Sequence, residues 1–286
     1  MTKGHGRRQI LVLGAGNFGT CLAQHLAEQG YQVVIWSIIP DVVDSINKNR
    51  KNPQYFTTIT LSPRIRATGN LAADVLSESD SIVCAVPTQV MRDVLIKLGP
   101  LYKQDQLLVC ANKGIEIDSL DLPAGIIEAT LGEKAAHDAV FLSGPSFAEE
   151  VMQRQPTAVT AASFEPSRAQ WAQELFHAAH FRVYSADDPI GVEVAGALKN
   201  VIAIASGAST GIGFQNNARA ALLTRGLAEI TRIGVKLGAN PLTFNGLAGV
   251  GDLFLTCTSE KSRNFSVGFR LGKGESLKHI IDTMGS

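Results

Sequence analysis

The chain has 286 residues, 45% of them hydrophobic and 18% charged, with 26 Lys and Arg set against 26 Asp and Glu. That length buries a large core and fills one large or two medium domains. The charge balance makes no electrostatic case for nucleic acid or for an acidic membrane surface, although a few local basic residues suffice for a small anionic substrate.

The leading segment, residues 1–9, is polar and basic and runs directly into a short strand. No secretory apolar region or run of membrane-spanning length follows it, which points to a cytoplasmic protein with no membrane insertion. Short β-rich apolar runs then alternate with helical patterns. Strands are predicted at Ile10–Leu13, Gln32–Trp36, Ile65–Thr68, Ser81–Val86, Leu107–Ala111, Val140–Leu142, Thr157–Ala161 and Phe181–Tyr184. Helices are predicted between most of them, at Phe18–Gln29, Asp41–Asn49, Gln89–Leu98, Ala124–Leu131 and Pro166–Ala178. Strands apolar along their whole length and separated by crossover helices imply an α/β fold with a doubly wound, mostly parallel sheet. After Asp187-Asp188-Pro189 the β signal ends, and the remainder reads as helices joined by turns at Gly211–Asn217 and Gly238–Pro241. The predicted division is a dinucleotide-binding domain over 1–187 and an all-helical domain over 188–286. Cys21, Cys84, Cys110 and Cys257 show no metal-ligand spacing, and reduced thiols are the simplest account of them.

The first strand leads into Gly14-Ala-Gly-Asn-Phe-Gly19 and then a helix. This is a G-x-G-x-x-G turn in the context that gives it meaning. Gly14 permits the tight turn, Gly16 lets the backbone approach a pyrophosphate, and Gly19 lets helix and strand pack closely. Helix N-terminal amides then hold the phosphates. The second strand closes as Val34-Ile-Trp-Ser-Ile-Ile-Pro40, without the acid that would favour NAD or the Arg that would favour NADP. The cofactor is therefore NAD or NADP, with the choice between them open.

Further candidates lie just past strand ends or in the helical part. Lys113 follows the strand ending at Ala111 and could meet an oxyanion or the nicotinamide amide; a solvated loop lysine is the plain alternative. Ser146 follows Ser143-Gly144-Pro145 and has Glu149 three residues on, the spacing of a capping box. Asp252 follows a Gly-rich turn at residues 246–251. Ser262-Arg263-Asn264 combines a guanidinium fork suited to phosphate with two neutral donors; singly, each reads as a cap or a surface turn. Lys199 is the only ionisable residue from Val194 to Ser206, a run apolar on nearly every face. Its neighbours one turn away are Ala195, Gly196, Ile202 and Ala203, so burial would favour a neutral amine able to act as a base. The alternative is a lysine whose stem lies along the core while its amine reaches water or a carboxylate.

Together Gly14–Gly19, Ala85-Val-Pro87, Asn112-Lys-Gly114, Ser143–Ser146, Gly196-Ala-Leu-Lys-Asn200, Asn217–Leu222, Gly246–Leu253 and Ser262–Asn264 resemble the bacterial NAD(P)-dependent sn-glycerol-3-phosphate dehydrogenases. The resemblance runs from about Gln9 through Gly274. It implies a Rossmann domain, a helical C-terminal domain with the site between the two, and interconversion of glycerol 3-phosphate and dihydroxyacetone phosphate for phospholipid synthesis. By the same resemblance Lys199 is the proton-transfer lysine, and Lys113 is shared by substrate and cofactor. Gly144, Ser146, Asp252, Ser262, Arg263 and Asn264 contact substrate, while Asn17, Phe18, Ala148 and Arg263 contact the cofactor. The resemblance also leaves room for a homodimer. The chain departs from the family pattern at Asn17-Phe18, where Ser-Trp is common, and near Ile38, where an Arg or His is common. It also stops at Met284-Gly-Ser286, where relatives continue into further helices, so cofactor contacts from such a tail are expected to be missing. The rival readings are a related hydroxyacid dehydrogenase with a carboxylate substrate, and a nucleotide-binding form without activity.

Overall fold

The computed structural model describes residues 9–284; the basic segment at residues 1–8 and the last two residues lie outside them. The chain divides into two compact units, the first taking the described residues up to Leu142 together with Ala148–Asp187. The second takes Ser143–Phe147 together with the chain from Asp188 onward. The single boundary near 187 read from the sequence is thus joined by a short excursion, because the last residue of the sixth strand and the four that follow it group with the helical part.

The first unit runs β1 (Gln9–Leu13), α1 (Asn17–Glu28), β2 (Gln32–Trp36), α2 (Pro40–Asn49), β3 (Ile65–Thr68), α3 (Ala73–Ser77), β4 (Ser79–Cys84) and α4 (Thr88–Leu98). It continues with β5 (Leu107–Cys110), α5 (Pro123–Leu131), α6 (Glu133–Asp138), β6 (Val140–Ser143), α7 (Ala148–Met152), β7 (Thr157–Ala162), α8 (Pro166–Phe176) and β8 (Phe181–Ala186). All eight predicted strands form, in one sheet of order β3-β2-β1-β4-β5-β6-β7-β8. β1 pairs in parallel with both β2 and β4. Ile10, Leu11, Val12 and Leu13 are all buried, as expected of a central strand covered on both faces. The order reverses between β1 and β4, so the carboxyl ends of those strands define the crevice where such sheets bind ligands. The predicted helices form with ends shifted by one or two residues. α3, α6 and α7 were not predicted, being too short for a helical period to show.

The second unit contains α9 (Pro189–Gly211), α10 (Asn216–Lys236), α11 (Asp252–Thr258), α12 (Arg263–Gly272) and α13 (Leu277–Met284). Asp188 caps α9: its carboxylate accepts from the Gly191 amide at 3.0 Å, and also from the Asn240 amide at 3.0 Å and the Thr243 hydroxyl at 2.5 Å. Pro189 fills the first helical position, where its missing N–H costs nothing. α9 is the one helix among the described residues long and apolar enough to cross a membrane, but 61% of that stretch is buried in the fold. It is the core helix of its unit, and α12 lies across it in backbone contact. A methyl group at Gly268 would sit 1.9 Å from the Ile204 carbonyl oxygen, and one at Gly207 would sit 2.0 Å from that of Phe265. Gly268→Ala is therefore expected to force the helices apart and lower stability by about 1–3 kcal/mol or more. A thermal midpoint equal to that of the parent chain would contradict this packing.

Candidate active site

In the first unit the glycine turn is built against β4. Gly14 takes φ +104 and donates its amide to the Trp36 carbonyl at 3.0 Å. A side chain on Gly14 would strike the Ala85 backbone at 3.1 Å, and one on Gly19 would lie 2.0 Å from the Gly14 carbonyl oxygen. At Gly16, by contrast, a methyl would meet nothing within 4 Å. Two glycines are thus required by the protein's own packing, while the third faces open space at the start of α1, where a pyrophosphate fits the free amides. Asn17 is exposed at the first position of α1, and Phe18 is half-buried against the core. Ala148 is buried, its carbonyl 3.4 Å from the Cys21 thiol.

A cleft of about 390 Å³ opens beside the turn, lined by Gly14, Gly16, Trp36, Ser37, Ile38 and Ile39 and by Val90 and Val94 of α4. At the end of β2 the cleft presents Ile38, 75% exposed, where an acid or an arginine would discriminate between NAD and NADP. Asp93 and Lys97 are the charged side chains lining it. Past β4 and β5, two buried polar atoms, Thr88 Oγ1 and Asn112 Oδ1, have no hydrogen-bond partner among the described residues. Asn112 is fixed there by donating Nδ2 to the Val86 carbonyl. Buried polar atoms seek partners, and a donor and an acceptor at these strand ends suit a carboxamide. The turn, the open Gly16 face and these two atoms fit a dinucleotide.

The glycine turn has a support that the sequence did not reveal. Asn52, fully buried in the loop after α2, donates Nδ2 to the Ala15 carbonyl at 2.9 Å and to Thr20 Oγ1 at 2.8 Å. Its Oδ1 accepts the amides of Gln54 and Tyr55, two further cleft residues, at 3.0 and 3.2 Å. The one available signal is the Asn-Pro step at 52–53, which favours a turn, and nothing in the sequence ties it to Ala15.

In the second unit, Lys199 is 7% exposed on α9, as its apolar neighbours required. Its Nζ donates to Asp252 Oδ1 at 2.9 Å and to Thr256 Oγ1 at 2.7 Å. Asp252, 2% exposed, opens α11, and Thr256 lies one turn on, its hydroxyl 2.6 Å from the Asp252 carbonyl. Of the two expectations for this lysine, the structure shows the paired one: its stem lies in the core and its amine meets a carboxylate. The ammonium has a buried counter-charge. Thr256 was missed; the signal was its position four residues after Asp252, on the same helical face. Cys257, adjacent to this group, has its thiol pushed up to about 12, chiefly by burial, which leaves it unreactive.

The approach to Asp252 is corrected. Residues 247–251, read as a turn, form a short widened helical step, the Gly251 amide bonding the Gly246 carbonyl at 3.2 Å, broken by a kink at Gly249 whose backbone is not helical. Gly249 lies against the Phe244 backbone, where a methyl would sit 2.1 Å from the Phe244 carbonyl oxygen. The Gly-rich spacing serves this close approach. Pro145 lies 3.7 Å from the β-position of Gly251, so Gly144 and Ser146 belong to the same unit as Asp252 and Lys199. Ser146 does not cap a helix: its hydroxyl donates to the Gly144 carbonyl at 3.0 Å, and α7 begins only at Ala148. Ser262, by contrast, is a true N-cap, its Oγ accepting the Phe265 amide at 3.2 Å. Arg263 and Asn264 open α12 and line a groove of about 700 Å³ shared with α13. Phe265 packs on Gly207, about two turns or 12 Å along α9 from Lys199. Lys199, Gly144, Ser146, Asp252, Ser262, Arg263 and Asn264 thus share one unit, while Gly14–Gly19, Lys113 and Ala148 share the other.

A dinucleotide turn at the switch point of a doubly wound sheet, on a chain that also carries a buried lysine–carboxylate pair in a helical unit, defines a pyridine-nucleotide dehydrogenase. Models of the N- and C-terminal regions of NAD-dependent glycerol-3-phosphate dehydrogenase match residues 9–169 and 188–286, and the chain belongs to that family. It is 48% identical to a Bacillus velezensis protein named glycerol-3-phosphate dehydrogenase (NAD(P)+), over 97% of this chain and 80% of that one. The Bacillus subtilis protein of the same name is 46% identical over the same shares. Among solved structures, the glycerol-3-phosphate dehydrogenase of Coxiella burnetii superposes with a TM-score of 0.92 at 36% identity, covering 98% of this chain and 85% of that one.

Proposed function

We infer that the chain interconverts sn-glycerol 3-phosphate and dihydroxyacetone phosphate with NAD or NADP as redox partner. The observation that carries this reading is the buried Lys199–Asp252–Thr256 group in a member of this family. When bound, the dinucleotide supplies or accepts the hydride. The amides after Gly16 would hold its pyrophosphate, with Gly14 and Gly19 shaping the turn. Asn17, Phe18, Ala148 and Arg263 would make further contacts to it, and Lys113 would serve both cofactor and substrate.

In the reducing direction Lys199 gives a proton from Nζ to the carbonyl oxygen at C2, and in the oxidising direction its neutral amine takes the hydroxyl proton. Asp252 and Thr256 hold the amine in place, and Asp252 with Lys113 orients the carbonyl and hydroxyl groups. Arg263 clamps the phosphate through its fork of donors. Asn264 adds a neutral donor, and Ser262 keeps its hydroxyl proton free to donate because it caps α12 as an acceptor. Gly144 and Ser146 complete the substrate contacts. The product would supply phospholipid synthesis, we assign the activity to the cytoplasm, and a homodimer fits the same reading. Oxidation of NADH or NADPH on addition of dihydroxyacetone phosphate tests the assignment. Turnover of a hydroxy acid with none of the triose phosphate would reverse it in favour of a carboxylate-directed dehydrogenase.

A further inference from the structure

The loop that carries Lys113 runs from the end of β5 to the start of α5, over residues 111–122, with no regular structure of its own. Loops of this length are usually either mobile or functional. Here one face of α4 ties it down at several points. Gln89 donates Nε2 to the Ile115 carbonyl at 2.8 Å and accepts the Ile117 amide on Oε1 at 3.0 Å. Arg92, one turn further on, grips Glu116 through Nε at 3.0 Å to each carboxylate oxygen and through NH2 at 2.6 Å. The same guanidinium reaches Asp121 at 3.0 Å, and Ser119 donates to Glu116 at 2.5 Å. The Glu116 amide closes the loop on itself by donating to the Asp121 carbonyl at 2.9 Å. Close to Lys113, Gly114 lies against Thr88, where a methyl would come 3.0 Å from Oγ1.

Glu116 is 8% exposed, a degree of burial that surface ion pairs lack. The Arg92 hydrogen bond holds its carboxyl below the usual range. A bidentate fork fixes direction as well as distance, so this pair fixes how the loop leaves β5. Arg92 itself lies in α4, and the residue it serves is three positions before Glu116 in the loop.

The geometry points to Arg92 as a positioning residue, which through Glu116 and Asp121 locks loop 111–122 onto α4 and thereby sets the Lys113 amine for substrate. This rests on the reading of Lys113 as a substrate and cofactor ligand. The test is a double-mutant cycle in the full chain. Arg92→Met in the parent background is expected to lower kcat/KM for dihydroxyacetone phosphate on the order of 10- to 100-fold, as small misplacements of a positioned group do. In a Lys113→Ala background the same change is expected to cost almost nothing, because the group it positions is gone. Glu116→Gln, which keeps the volume, repeats the cycle if Arg92→Met fails to fold, and Arg92→Lys is expected to recover only part of the loss. Equal fold losses in both backgrounds would reduce the network to a structural tie and overturn the proposal. An unchanged kcat/KM in Lys113→Ala alone would instead remove the Lys113 assignment, a separate failure.

Discussion

Replacing Lys199 by alanine is expected to lower turnover with dihydroxyacetone phosphate by a factor on the order of 10²–10⁴ while NADH still binds. The binding half follows from where the residues sit: the glycine turn, its Asn52 support and the Ile38 cleft all belong to the other compact unit. The turnover half follows from chemistry. Nζ is the titratable proton donor of the buried group, since Thr256 is a hydroxyl and Asp252, as a carboxylate, only accepts. Lys199→Arg separates charge from proton transfer, because a guanidinium keeps the positive charge but does not release its proton. It is expected to be nearly as inactive as the alanine variant. Turnover near the parent value in either variant, with NADH binding retained in a fluorescence titration, would remove Lys199 from the reaction.

Much of the fold was legible because its signals are local. The strands announce themselves as apolar runs, and the glycine turn is bounded by a strand and a helix within about twenty residues. The change at Asp187-Asp188-Pro189 is a change of periodicity, and it falls where Asp188 and Pro189 cap α9. The unread features are long-range or too short. Asn52 reaches back to Ala15, and Asp252 reaches Lys199 across 53 residues, with no pattern connecting either pair. The five-residue helices α3 and α7 carry barely one turn, less than a period needs to declare itself. Residues 247–251 are only partly legible, for a different reason. Glycines signal turns in most settings, and here Gly249 does kink the chain, but the residues around it wind in a widened helical step that passes against the Phe244 backbone. The same locality leaves the partner of the α9 amine unidentified in sequence: Asp252 lies on α11 and is invisible in the α9 pattern.

That partner makes a second expectation, one in which stability and activity part company. Lys199 and Asp252 form a pair with side chains only 9% and 3% exposed. Asp252→Asn would leave a buried ammonium without its counter-charge, and removing one member of such a pair costs about 3–5 kcal/mol. A large fall in the thermal midpoint is therefore expected, together with loss of turnover. Replacing both members, as Lys199→Met with Asp252→Leu, removes both charges at similar volume, and such exchanges are often neutral or stabilising. The double variant should regain most of the lost stability while remaining inactive. A purely structural pair would behave differently: the double variant would recover turnover along with its fold. If Asp252→Asn unfolds at the parent temperature, the carboxylate is not the counter-charge that holds the amine. The pair is thus a costly arrangement that apolar residues could replace without loss of fold, and the proposed proton transfer at Lys199 gives that cost a chemical reason.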